Sequence, residues 1–305
     1  MSIVPKNIRR LLVVFLFVCP AVFAADVFDS ATGQRMSSAV LLERIAKADV
    51  VVVGERHTDA AGHIWQQQLL KQLFAADGST FLSVEEFDRS QQLYLDAYAA
   101  GEMTGAELKQ QRNFVGPGVK DHWEEWYLPK LAIARAAEVP VVASNAPLKY
   151  SRHARNEGCN NPGDFPPEEA ALFECPVADA DPVYYRRFRN TMLRVSRKNQ
   201  AMGLKPLKEE QIEKMFRAHR VWDATMADSI VTASSGTSRV IHLVGSFHVD
   251  YDGGLIEEIR ARAPELSIVT ISIKPVTDEL RASDAKRADI VVYSGVQQQE
   301  PEGNE

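Results

Sequence analysis

Residues 51–57 read VVVGERH, and residues 242–248 read HLVGSFH. Each is an apolar run that stops at Gly and delivers His three positions later. Continuous apolarity, without alternation, is what a strand covered on both faces requires, so the two stretches argue for a parallel sheet held between helices. In an open sheet of that kind the loops beyond the carboxyl ends of the strands converge on a shared crevice. Gly at a strand end permits a tight turn and close approach, and it carries the polar residues that follow to the top edge of the sheet. Glu55 and His57 follow or flank one such turn, and His248 follows the other. A third run, FLSVEEFDR at 81–89, brings Glu85 and Glu86 to the same edge. Imidazoles and carboxylates on neighbouring strand ends form a donor set for a divalent metal, or an acid and base for a bound substrate. His57, Glu85 and His248 are the expected metal ligands, within about 10 Å of one another, the reach of a small-ligand site. If the chain is an enzyme, Glu55, His57, Glu85 and His248 are its expected catalytic set. A helix cap or loop contact explains one Gly-x-x-His; two of them beside Glu85 favour a shared site.

Working outward, runs at 49–53, 80–84, 140–144, 239–244, 267–273 and 290–293 are read as strands. Helix-period stretches separate them, so the expected fold is α/β, a mostly parallel sheet flanked by helices. Helices are expected at 61–75 and 89–100, and TGAE at 104–107 has the spacing of a capping box. The stretch 123–137 carries Pro129, where its first turn ends or kinks. From about 148 to 236 no strand pattern appears, which marks a helical subdomain inserted over the sheet. It contains the basic stretch YYRRFRNTMLRVSRKNQAM at 184–202. At 207–231 it sets Ile212, Met215, Phe216, His219, Trp222, Met226 and Ile230 along one stripe, where His219 reads first as a packed core residue. Cys159 and Cys175 flank a loop rich in Pro and Asn and are expected to pair as a disulfide in an oxidising compartment.

The 305 residues are 45% hydrophobic and 25% charged, the range of a soluble globular protein with a sizeable core. Lys6, Arg9 and Arg10 precede LLVVFLFVC at 11–19, and small residues then lead to Ala25. Residues 1–24 therefore read as a secretory signal peptide, too short for a membrane span. Val18 before Cys19 is not the small residue that lipid attachment wants, so export to the periplasm without a lipid anchor is expected. Residues 25–295 form the α/β domain, and 296–305 (VQQQEPEGNE) read as a disordered tail. The formal net charge of −6 becomes more negative once the three leader cations leave, a balance that does not advertise nucleic-acid binding, and no nucleic-acid partner is expected. There is no Cys-x-x-Cys-His for covalent haem, no Gly-x-Ser-x-Gly elbow, no phosphate loop and no dinucleotide fingerprint.

Taken together, VVVGERHTDAAGHIWQQQLLKQL, FLSVEEFDRSQQLYLDAY, HWEEWYLPKLAIARAAEVPVVASNAP, RVWDATMADSI and VIHLVGSFHVDYDGGL resemble, in order, the ChaN-like haem-binding uptake proteins. That family shares a superfamily with the erythromycin esterases and the TIKI and TraB proteins. The resemblance spans about 50–273 and implies an α/β fold with a helical subdomain, haem as cofactor, and a part in haem-iron uptake. It also implies a homodimer, in which a flat cofactor lies between two helical caps, and a peripheral link to a membrane uptake system. In the helical region Tyr184, Tyr185 and His219 are chemically suited to ligate haem iron, with neighbouring arginines for the propionates. In the wider superfamily, paired Gly-x-x-His motifs with a separate Glu are associated with metal-dependent hydrolysis, and they correspond here to Glu55, His57, Glu85 and His248. The resemblance favours a haem-binding protein over an esterase- or peptidase-type hydrolase.

Overall fold

The computed structural model describes residues 25–75, 79–111, 121–159, 162–234, 238–275 and 280–295. The leader at 1–24 and the tail at 296–305 lie outside the described residues. Among these residues seven strands form one sheet: β1 (Asp26–Asp29), β2 (Val50–Glu55), β3 (Thr80–Asp88), β4 (Val141–Asn145), β5 (Arg239–Gly245), β6 (Ile268–Lys274) and β7 (Ile290–Tyr293). Their order is β1-β7-β6-β2-β5-β3-β4, with only β1 antiparallel to its neighbour. The chain leaves β2 for β3 and β4, returns to place β5 between β2 and β3, then moves to the other side with β6 and β7. The reversal falls at β2 and β5, which is where a ligand crevice opens beyond the carboxyl ends of such a sheet.

Alternation along the valine run explains both layers. Val51 and Val53 face a core shared with Trp65, Leu69, Leu131 and Ile241; Val50 and Val52 face a second one with Met226, Ile230, Val240 and Ile256. Helices Ser38–Ala46, Ala60–Ala75, Gln92–Ala100 and Leu128–Ala136 cover the first face. Gly254–Arg262 and the second half of Glu209–Ala233 cover the other. The capping box is present: the Thr104 hydroxyl accepts the Glu107 N–H, and the Glu107 carboxylate accepts the Thr104 N–H. Trp123–Tyr127 forms a π-helical turn, and the α-helix restarts at Leu128 with Pro129 in its first turn, where the missing N–H costs nothing. No helix among the described residues is long and apolar enough to cross a membrane.

Between β4 and β5 the described residues form helices only, chiefly Leu148–Glu157, Pro182–Ala201 and Glu209–Ala233. This helical insertion is not a detached cap. In Glu209–Ala233, Ile212 and Phe216 pack with Tyr184 and Phe188 above the sheet, while Met226 and Ile230 pack on the sheet itself. The stripe read from the sequence thus spans two cores. Cys159 and Cys175 are disulfide-bonded with Cα atoms 5.4 Å apart. In the chain-entropy account, closing a loop of that length is worth about 3 kcal/mol against the unfolded state.

Candidate functional site

The strand ends bring the expected residues together. Glu55 is the last residue of β2 and pairs in register with Gly245, the last of β5. On the far side of β5, Glu85 of β3 accepts the Gly245 N–H through Oε2 at 2.6 Å. A Cβ built on Gly245 would sit 3.3 Å from His57 Nε2 and 3.5 Å from Glu85 Oε2, so His57 and Glu85 flank one point above Gly245. His248, in a short 3-10 turn after β5, places Nε2 3.5 Å from the other Glu85 oxygen. His57, Glu85 and His248 therefore converge. Glu86 does not join them, because successive strand residues face opposite sides. Its carboxylate turns to Lys130, 3.7 Å away, and burial raises its pKa.

Both imidazoles are aimed by a carboxylate on Nδ1: Glu55 Oε1 lies 2.6 Å from His57 Nδ1, and Asp223 Oδ1 lies 2.6 Å from His248 Nδ1. This leaves both Nε2 atoms on the Glu85 side. Burial alone would depress His57, but Glu55, with Glu85 and Glu86 behind it, raises the imidazolium to about 9. Burial likewise opposes the charge on His248, and the bonded Asp223 and then Glu85 raise its pKa above the ordinary value. His63 backs Glu55 at 3.5 Å, stacks on Trp126 at 4.8 Å, and is lowered to about 4 by burial and by Lys130. Two carboxylate-oriented imidazoles and one carboxylate between them could hold a divalent cation, with the outer acids fixing ring orientation and ligand basicity.

The haem candidates separate. Helices Leu148–Glu157, Pro182–Ala201 and Glu209–Ala233 enclose with Phe247 a cleft of about 440 Å³. Its walls include Phe188, Met192, Met215, Trp222 and Phe247, with exposed Arg152 and Arg155 at its edge. His219 lines this cleft, and its buried Nε2 has no hydrogen-bond partner. Burial and the neighbouring His248 charge lower its pKa to about 3, so the ring is neutral. Tyr184 lies behind the wall, fully buried, donating its hydroxyl to Asp223 Oδ2 at 2.9 Å; burial and Asp223 push its pKa well above the ordinary phenol value. Tyr185 donates to Glu209 at 3.2 Å, packs its ring on Phe216 and does not line the cleft.

Asp223 was not singled out in the sequence, yet it ties the two regions together. It accepts from both His248 and Tyr184, and His219 stacks on His248 with ring centres 4.3 Å apart. The available signal was an acid four residues after His219, on the same face of a helix whose neighbours are apolar. Carboxylate and imidazole atoms of His219, Asp223 and His248 lie within 4.8 Å of one another, a second grouping with metal-binding chemistry.

A doubly covered, mostly parallel sheet with a polar carboxyl edge, overlaid by helices that enclose an apolar cleft, defines an α/β protein with a helical insertion. The chain belongs to the family described as "Haem-binding uptake, Tiki superfamily, ChaN", matched over residues 41–259. Among solved structures it is similar to the ChaN of Campylobacter jejuni, described for cofacial heme binding. Identity is 17% over 88% of this chain and 96% of that one, with a TM-score of 0.68. At that identity the likeness speaks to the fold. The type III effector HopBA1 aligns at 14% identity over 83% of this chain and 90% of its own, TM-score 0.45. The erythromycin esterase EreC aligns at 10% over 86% and 81%, TM-score 0.41. No curated protein matches the sequence.

Proposed function

We propose that this protein binds haem in the apolar cleft, with His219 as the iron ligand, and takes part in haem-iron uptake after export to the periplasm. The observation that carries the reading is the unpartnered, buried and neutral Nε2 of His219 in the cleft wall. A buried polar atom left unpaired costs free energy unless a ligand completes it, and iron is such a ligand. The aromatic and Met walls suit a porphyrin plane, and Arg152 and Arg155 suit its propionates. The cleft volume is within the range of small-molecule sites. Family membership and the heme-binding Campylobacter relative support the same reading. Two copies joined across this cleft would bring two such planes face to face, which is the homodimer this reading favours, and a membrane uptake system would be the peripheral partner.

A Soret titration of the purified protein tests it. A saturable one-to-one shift is expected in the parent, in Tyr184→Phe and in Tyr185→Phe, and at least about a 100-fold weaker affinity in His219→Ala, the scale of losing a principal ligand contact. Undiminished binding by His219→Ala would sink the assignment.

One observation favours a second activity: His57 and His248, each oriented by a carboxylate, present Nε2 to Glu85. That arrangement fits a bound divalent cation and a hydrolytic role in which Glu55 and Asp223 orient, and His57, Glu85 and His248 ligate or transfer protons. Equilibrium dialysis against zinc is expected to show one site that weakens about 10–100-fold in Glu55→Gln, the usual effect of removing a ligand-orienting acid. Absence of a site in the parent protein ends this reading.

A further inference from the structure

We propose that the helical insertion docks on an anionic phospholipid surface through the outer face of helix Pro182–Ala201 and the turn that follows it. From 182 to 208 the chain carries eight Lys and Arg and no Asp or Glu, within a protein whose net charge is −6. Helical geometry concentrates part of that charge. Val183, Arg186, Asn190, Arg194, Arg197 and Ala201 recur at three- and four-residue spacing, fall on one stripe, and are all exposed. The opposite side of the same helix supplies Phe188, Thr191 and Met192 to the cleft, so docking leaves the cleft free. Internal partners neutralise little of the basic run: Arg189 pairs with Glu209, whereas Arg187 donates to the neutral Asp250 carbonyl and Arg194 to the Thr191 hydroxyl.

Charge alone would describe a solvated helix face. The turn adds a second feature: Met202 and Leu204 are 68% and 57% exposed, and Lys205 beside them is exposed as well. A basic stripe ending in unburied apolar side chains is the pattern of a helix that settles into a headgroup layer, with cations at phosphate level and the apolar tip below it. A second copy of this chain is a poor occupant. A two-fold contact sets a patch against itself, here cation against cation.

Vesicle co-sedimentation tests the proposal with the purified protein, phosphatidylglycerol vesicles, phosphatidylcholine vesicles and two variants. One variant reverses charge (Arg194→Glu, Arg197→Glu, Lys198→Glu) and the other removes the apolar tip (Met202→Ser, Leu204→Ser). All five positions are exposed, and circular dichroism confirms that both variants fold. The parent is expected to partition onto phosphatidylglycerol and not phosphatidylcholine, more weakly as salt rises. Charge reversal is expected to weaken partitioning by at least about tenfold, and tip removal by several-fold. No partitioning by the parent, or partitioning unchanged in both variants, overturns the proposal. A dimer in sedimentation analysis that dissociates in the tip variant, without vesicle binding by the parent, also overturns it and gives the face to a second copy. Haem binding is read separately, so failure here leaves the cleft assignment standing.

Discussion

Truncating Asp223 to Ala is expected to cost about 3–5 kcal/mol of folding stability, the range for removing one partner from a buried charged pair. The side chain is fully buried and accepts hydrogen bonds from His248 Nδ1 and from the Tyr184 hydroxyl. Without it, His248 Nδ1 and the Tyr184 hydroxyl lose their shared acceptor. Asp223→Asn keeps the shape and an acceptor for Tyr184, so its cost is expected to be smaller, about 1–3 kcal/mol. Urea unfolding followed by tryptophan fluorescence measures both. A loss below about 1 kcal/mol for Asp223→Ala would mean that the pair is nearly neutral to stability, as some buried ion pairs are.

The same pair sets a pH signature. Burial opposes the Asp223 charge, but His248 and His219 hold its pKa below the ordinary 3.8, so its contribution is present above that value and is lost as pH falls through the lowered one. His248 is raised above 6.5, so its contribution is complete below 6.5 and is lost as pH rises through the raised value. These are two ends of one interaction and are counted once. The difference in stability between the parent and Asp223→Ala should therefore be greatest between about pH 4 and 6.5 and shrink on either side.

The sheet was legible because its strands announce themselves chemically. Four consecutive valines in β2 can be buried on both faces only inside a doubly covered sheet, and that identity fixed the layers, the strand ends and the convergence of His57, Glu85 and His248. β1 and helix Ser38–Ala46 gave no such signal: β1 is four residues long and pairs antiparallel at the sheet's edge. β3 runs on through Asp88, beyond its apolar run, because a register shift against β4 keeps it paired across two consecutive glutamates. Asp223 was hidden for a different reason. Its partners come from β5's following turn and from another helix, so its role depends on contacts between segments far apart in sequence. Tyr184 and Tyr185 illustrate the limit of residue type as evidence: adjacent on a helix, one spends its hydroxyl on buried Asp223 and the other on Glu209, and neither lines the cleft.

The paired glycines repay a closer test, since neither has the positive φ that only glycine adopts readily. What each allows is close approach by the other motif. A Cβ on Gly54 would lie 2.9 Å from the Cα of Ser246 and 3.2 Å from Val249, while a Cβ on Gly245 would meet the ring of His57 at 3.2 Å. The two motifs thus interlock: the first glycine makes room for the second motif's backbone, and the second makes room for the first motif's histidine. Backbone cannot rotate away, so Gly54→Ala must part β2 from the turn after β5, at an expected cost of about 1–3 kcal/mol, the usual range for overpacking. The His57 ring is partly exposed and can yield, so Gly245→Ala should cost less than about 1 kcal/mol while moving His57 off its position beside Glu85. Urea unfolding should therefore separate the two substitutions, whereas the His57 ring signals in nuclear magnetic resonance should shift in Gly245→Ala. Equal stability losses, or an unmoved His57, would refute the interlock and leave the repeated Gly-x-x-His without this physical reason.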